Sequence, residues 1–103
     1  MMSPDRSHDA GGRYPSRETL ELVRRALARY LAGAIDDEQV CEALAVLAAE
    51  AQERTLNAEH MLVAFKATWS ELPEVRAIRD AAERRRLLDH LVSFCIDAYY
   101  KPK

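Results

Sequence analysis

Apolar side chains along residues 87–99 cover more of a helix than one face of a small helical bundle requires. At about 100° per residue, the core-facing side of this segment gathers Leu88, Leu91, Val92, Cys95 and Tyr99. A second apolar patch of Leu87, Phe94 and Ala98 lies beside that side, and the combined arc spans roughly 200°. A surface helix typically buries a stripe nearer 100° wide. This helix is therefore either enclosed by its own neighbours or shared with a partner.

The composition of the chain predicts an all-α fold. Of its 103 residues, 17 are alanine and 12 are leucine, whereas β-branched residues are scarce. Hydrophobic residues make up 49% and charged residues 31%, which is typical of a globular chain of one domain.

Capping signals mark where the first three long helices begin. Ser16, Asp36 and Asn57 each precede an apolar pattern of helical period, and all three are favoured N-cap residues. Asp36 and Gln39 also have the spacing of a capping box, in which each side chain accepts the other residue's backbone N–H. Gly33 is expected to end the first helix.

The segment after Pro73 is read as two elements. One helix from residue 74 to 100 would be much longer than its neighbours, at 1.5 Å per residue. Asp80 and Glu83 have capping-box spacing, so we expect a short turn over residues 74–79 and a separate last helix from residue 81.

These elements predict a compact antiparallel bundle of four main helices, with a short helical turn before the last helix. Short connections make sequential helices antiparallel neighbours. Residues 16–103 form the single domain in this interpretation. Residues 1–15 contain little to bury, and we expect them to be a flexible, disordered N-terminal tail.

No pattern in the chain indicates catalysis, a cofactor or a metal. Neither His60 nor His90 follows a glutamate at the three-residue spacing of di-iron bundles. Cys41 and Cys95 are far apart and fall within apolar patterns, which favours buried free thiols. Three glycines are too few for a phosphate-binding loop. We expect a protein that is not an enzyme and that binds no cofactor or metal.

Charge and hydropathy indicate the cellular setting. The net charge of −2 draws the chain neither to nucleic acid nor to membrane. No apolar run approaches the ~18 residues of a membrane span, and the N-terminus lacks a hydrophobic signal core. Twelve of the fifteen basic residues are arginine, which with the alanine excess suggests a bacterial source. We expect a cytoplasmic protein with no membrane partner.

DNA binding is the alternative interpretation. The second and third helices have helix-turn-helix spacing, but Lys66 is the one full positive charge on the exposed side of the candidate recognition helix. Five arginines within residues 74–90 are offset by four acids, which leaves a net charge of +1. Duplex binding usually needs several uncompensated cations. A DNA-binding transcriptional regulator is therefore the second hypothesis.

The favoured hypothesis is a non-enzymatic interaction or regulatory module. The last helix would bind a protein partner or a second copy of the chain, as a homodimer, through one surface: Arg84, Leu87, His90, Leu91, Phe94 and Ala98. At about 25 cal/mol per Å², burying this patch contributes several kcal/mol before the costs of association. The pattern leaves open whether the patch is intermolecular or covered by residues 74–79 of the same chain.

Overall fold

The structure is a computed structural model that describes residues 14–100, and every regular element in that range is an α-helix. The helices are α1 (Arg17–Leu31), α2 (Asp37–Glu53), α3 (Ala58–Glu71), α4 (Pro73–Arg76) and α5 (Ala81–Tyr100). Four long helices and one short turn before the last confirm the all-α bundle. The expected tail, residues 1–15, lies outside the described residues except for its last two.

The N-caps form as the sequence predicts. The side chains of Ser16, Asp36 and Asn57 each accept a hydrogen bond from the backbone N–H three residues later. Asp36 completes its capping box, because Gln39 N donates to Asp36 Oδ1 at 3.0 Å and Asp36 N donates to Gln39 Oε1 at 3.2 Å. These bonds satisfy backbone donors that a helix start leaves unpaired.

The last helix begins at a cap of its own, separate from α4. Asp80 Oδ1 accepts from the backbone N–H of Ala82 at 3.0 Å and of Glu83 at 3.4 Å. The Glu83 carboxylate forms an ion pair with Arg86 at 2.7 Å on the outer side of α5. The predicted division between the short turn and the last helix is therefore confirmed.

Helix α1 ends in a left-handed residue, as its glycine predicts. Gly33 has φ 79°, and its backbone N–H donates to Tyr30 O at 3.0 Å. The next N–H, that of Ala34, donates to Arg29 O at 2.8 Å. This pair of bonds is the Schellman motif, which uses carbonyls left unpaired at a helix end.

Helix α2 ends in the same motif without a glycine. Thr55 has φ 57° and donates to Gln52 O at 3.1 Å, and Leu56 N donates to Ala51 O at 2.8 Å. A β-branched residue is strained in the left-handed region, because its Cβ crowds the neighbouring backbone. The burial of Leu56 and Ala51 holds the turn in place despite that strain.

The hydrophobic core lies where the four long helices meet. Helix α2 packs most extensively against α5 and α1, which lie on either side of it, while α3 packs across the back. The largest fully buried side chains come from all four helices: Val23, Leu27, Val40, Leu44, Leu47, Met61, Phe65, Leu91 and Cys95. Helix α4 packs mainly on α3 and α1, and it contributes Val75 to the core.

Helices α2 and α5 run in the same direction. Asp37, the first residue of α2, lies beside His90, whereas Gln52 near the end of α2 donates a hydrogen bond to the backbone carbonyl of Tyr99. Because α3 runs antiparallel to both α2 and α5, these two helices point the same way. The second and fourth long helices thus lie side by side along one face of the bundle.

We predict that Thr55→Gly stabilises the protein by about 0.5–1 kcal/mol, because glycine adopts the left-handed conformation without steric strain and this outweighs its entropic cost. Urea unfolding followed by circular dichroism measures the change. Gly33→Ala is the matched control with the opposite sign, since an added Cβ at Gly33 meets nothing within 4 Å and the cost is that of the backbone alone. A loss of stability in Thr55→Gly would contradict the strain.

Candidate functional site

An open groove of about 420 Å³ runs between α2 and α5. Its α2 wall is formed by three small side chains one turn apart, those of Cys41, Ala45 and Ala49, and by Gln52 at one end. Its α5 wall is formed by Phe94, Asp97 and Ala98. Because the α2 residues are small, they meet the phenyl ring without closing over it, and an apolar furrow remains on the surface.

The second apolar patch predicted for the last helix borders this groove. Leu87, Phe94 and Ala98 are all half-buried and pack against the edge of the core. Their partial cover comes from α2, the main neighbour of α5. The short α4 packs mainly on α3 and α1. Contacts within the chain therefore cover part of the excess apolar surface and leave the rest exposed.

Two residues expected on the same surface lie elsewhere. Leu91 is 0% exposed, because it and Cys95, one turn later, point to the centre of the bundle, so Leu91 belongs to the core. Arg84 is half-buried on a different side of α5, where its Nη1 donates to Ile78 O at 2.7 Å. Helical spacing alone cannot separate the core side from the groove side of so wide an arc.

His90 lies at one end of the groove and connects three helices. Its ring packs edge-on against Phe94, with 4.5 Å between ring centroids, and its Nε2 lies 3.4 Å from Asp37 Oδ2. The hydroxyl of Tyr30, in the last turn of α1, donates to Asp37 Oδ1 at 2.7 Å. Sequence reasoning missed this cluster, although the short α1–α2 connection already implies that Tyr30 and Asp37 are close.

The protonation states of Asp37 and Tyr30 suit a structural hydrogen bond between helices. The hydrogen bond from Tyr30 lowers the pKa of Asp37 below its usual value, and the nearby His90 acts in the same direction. Burial raises the pKa of Tyr30 to about 12, with a further contribution from its bond to Asp37. At neutral pH Asp37 is therefore ionised and Tyr30 protonated, so neither group exchanges a proton readily near neutrality.

The two cysteines lie in and under the groove, and they form no disulfide with each other. Cys41 is half-buried in the groove wall, and Cys95 is fully buried beneath it. Burial raises the pKa of Cys95 to about 12, so its thiol is protonated at neutral pH. A protonated, enclosed thiol is a weak nucleophile, and Cys95 acts here as a small apolar side chain.

Residues 14–100 offer neither a metal site nor a membrane-spanning helix. No group of three or more His, Cys, Asp or Glu side chains in that range could hold a metal ion. None of the helices there is long and apolar enough to cross a membrane. The exposed side of α3, the candidate recognition helix, carries Glu59, His60, Val63 and Lys66. Comparison with protein-family models, curated proteins and solved structures found no match to this chain.

We predict that the free energy of unfolding falls between about pH 9 and pH 12 because Cys95 titrates only after unfolding. A pKa raised in the folded state gives stability that is complete below the unfolded value of 9.0 and lost as pH rises through about 12. One such proton contributes a slope of about 1 kcal/mol per pH unit. Urea midpoints across this range should therefore decline less steeply for Cys95→Ala than for the parent protein. Parallel slopes would show that Cys95 is not the group responsible.

Proposed function

We propose that the protein is an interaction module rather than an enzyme, and that it forms a homodimer through the face on which α1, α2 and α5 lie side by side. The groove between α2 and α5 opens on this face. The observation that carries the proposal is the open side of Phe94 in that groove, bordered by Ala45 and Ala49. An apolar ring left beside small residues favours insertion of side chains from another chain.

Apolar surface extends from this groove across α2 towards α1. Val46 is 45% exposed and Leu22 is 42% exposed, and both line a second opening between α1 and α2. Ala45 and Ala49 lie between the two openings on the outer side of α2 and are also exposed. The apolar surface therefore crosses three helices, which suits a flat partner better than a single inserted side chain.

The charges on this face favour a second copy as the partner. The outer side of α2 carries exposed carboxylates, Glu38, Glu42 and Glu53, and none of them forms an ion pair with another described residue. On the α1 edge, Arg29 is exposed and likewise has no carboxylate within ion-pair distance among residues 14–100. Its neighbour Arg25 has a long contact of 3.9 Å to Glu21.

A two-fold axis between α1 and α2 would place the basic edge of one copy over the acidic outer side of α2 in the other. An interface of this symmetry requires one patch to be complementary to itself, and a face with cations on α1 and exposed carboxylates beside the apolar residues of α2 meets that requirement. A partner protein of different sequence would require only the cations or only the carboxylates on this face. The presence of both is the reason for proposing a homodimer.

We predict that Phe94→Glu converts the dimer to a monomer, because a carboxylate would have to be buried in the apolar middle of the interface. Light scattering after size-exclusion chromatography, over a dilution series, measures the mass. Ala49→Arg is a second disrupting variant at an exposed position where the fold tolerates a long side chain. Val63→Glu is the matched control, since Val63 is 56% exposed on α3, outside the proposed interface.

The outcomes separate the hypotheses. A dimer lost in Phe94→Glu and Ala49→Arg but kept in Val63→Glu supports the proposed interface. A parent protein that is monomeric at every concentration tested contradicts the homodimer. Tight binding to duplex DNA that weakens steeply with salt would instead favour the transcriptional regulator.

A further inference from the structure

Another opening, of about 560 Å³, lies between the end of α3, the short α4 and the start of α5. It is distinct from the groove between α2 and α5 and from the opening between α1 and α2. Its apolar lining is formed by Trp69, Val75 and Leu88, of which the first two are buried. Three guanidinium side chains, those of Arg76, Arg84 and Arg85, line the same opening. A cationic rim therefore surrounds an apolar floor.

The acidic side chains of this part of the sequence do not line the opening. No Asp or Glu of the described chain lines it. Glu83 forms its ion pair with Arg86 at 2.7 Å, and neither residue lines the opening. The net charge of +1 over residues 74–90 therefore conceals a local concentration of cations, because three of the five arginines line the opening and none of the four acids does.

The three arginines have unused hydrogen-bonding capacity. Arg84 is held by one bond, from Nη1 to Ile78 O, which leaves most of its five N–H donors available. Arg85 has a long, exposed contact of 3.8 Å to Asp89, of a kind that contributes little. Across residues 14–100, no carboxylate lies within ion-pair distance of Arg76 or Arg84.

We propose that this opening binds an acidic peptide segment of a partner protein, in which carboxylates flank an apolar side chain. Guanidinium groups bind carboxylates through paired, charge-assisted hydrogen bonds. The apolar side chain of the segment would pack on the half-buried Leu88, next to the buried ring of Trp69. Arg84, fixed by its bond to the Ile78 carbonyl, orients the segment, while the exposed Arg76 and Arg85 contribute most of the charge.

Nucleic acid fits this opening less well than an acidic peptide. Binding to duplex DNA draws its affinity from many phosphate contacts, whereas three guanidinium groups converge here on an apolar floor. The whole chain has a net charge of −2, so a long polyanion gains nothing from its overall field. A short segment that offers two or three carboxylates and one apolar residue matches both the size and the chemistry of the opening.

This site is independent of the proposed homodimer. It lies near the start of α5, on a different side of that helix from Phe94 and Ala98. The two sites share no lining residue, so either can be present without the other.

The test uses the tryptophan of the opening as its reporter, because Trp69 is the single tryptophan of the chain. The probe is a short synthetic peptide in which glutamates flank one leucine, free of tryptophan and tyrosine. Titration of the full chain should give a saturable change in Trp69 emission. The same peptide with glutamine in place of every glutamate should give no change at matched concentrations.

The variant Arg76→Gln/Arg85→Gln should weaken binding of the peptide at least about tenfold, since it removes two charge-assisted contacts. Both side chains are exposed, so the fold should be retained. The matched control is Arg79→Gln/Arg86→Gln, which removes the same charge from the same segment but no residue of the opening. It should bind the peptide within about twofold of the parent protein.

Three results would overturn the proposal. The first is the absence of saturable binding to the acidic peptide. The second is an equal loss of affinity in both double variants, which would show attraction by net charge alone. The third is tighter binding to a short duplex DNA than to the peptide, lost in Arg76→Gln/Arg85→Gln, which would assign the opening to nucleic acid.

Discussion

Burial of one side of α2 is the interaction on which the bundle depends. Val40, Leu44, Leu47 and Ala51 are fully buried along that side, and α2 packs most extensively against α1 and α5. Because α1 and α5 flank α2, one layer of three helices is exposed on its outer side while α3 packs across the back. The position of both α1 and α5 is set by their contact with α2.

The same helix determines the groove that carries the proposed function. Beside Phe94, α2 presents the small side chains of Cys41, Ala45 and Ala49, and Phe94 is therefore covered on one side and open on the other. Larger residues at Ala45 and Ala49 would close this furrow and complete the cover of the last helix. The surface left open is a direct consequence of side-chain size at two positions on α2.

The opening at the start of α5 has a different origin. Asp80 follows the connection after α4 and caps the start of α5 with a hydrogen bond. This cap fixes where the helix begins, and therefore on which side of α5 each arginine side chain projects. Arg84 and Arg85 then share one opening with Arg76 of α4, while Glu83 lies outside it. Along the sequence these arginines are nearly balanced by acidic residues, but the only charged side chains that line the opening itself are arginines. The two differ because neighbours in sequence lie about 100° apart around a helix.

The sequence by itself determined the helices, the caps at Ser16, Asp36 and Asn57, and the excess apolar arc near Phe94, because periodicity and capping are local properties. It did not reveal the left-handed turn at Thr55 that follows α2, since that turn lacks the usual glycine and is held by packing. Only the tertiary structure decided that Leu91 is enclosed, that Phe94 faces a groove and that Arg84 lies on another side of the helix. Each of these depends on which neighbour covers a given side of α5, and that is set by contacts between residues far apart in the chain.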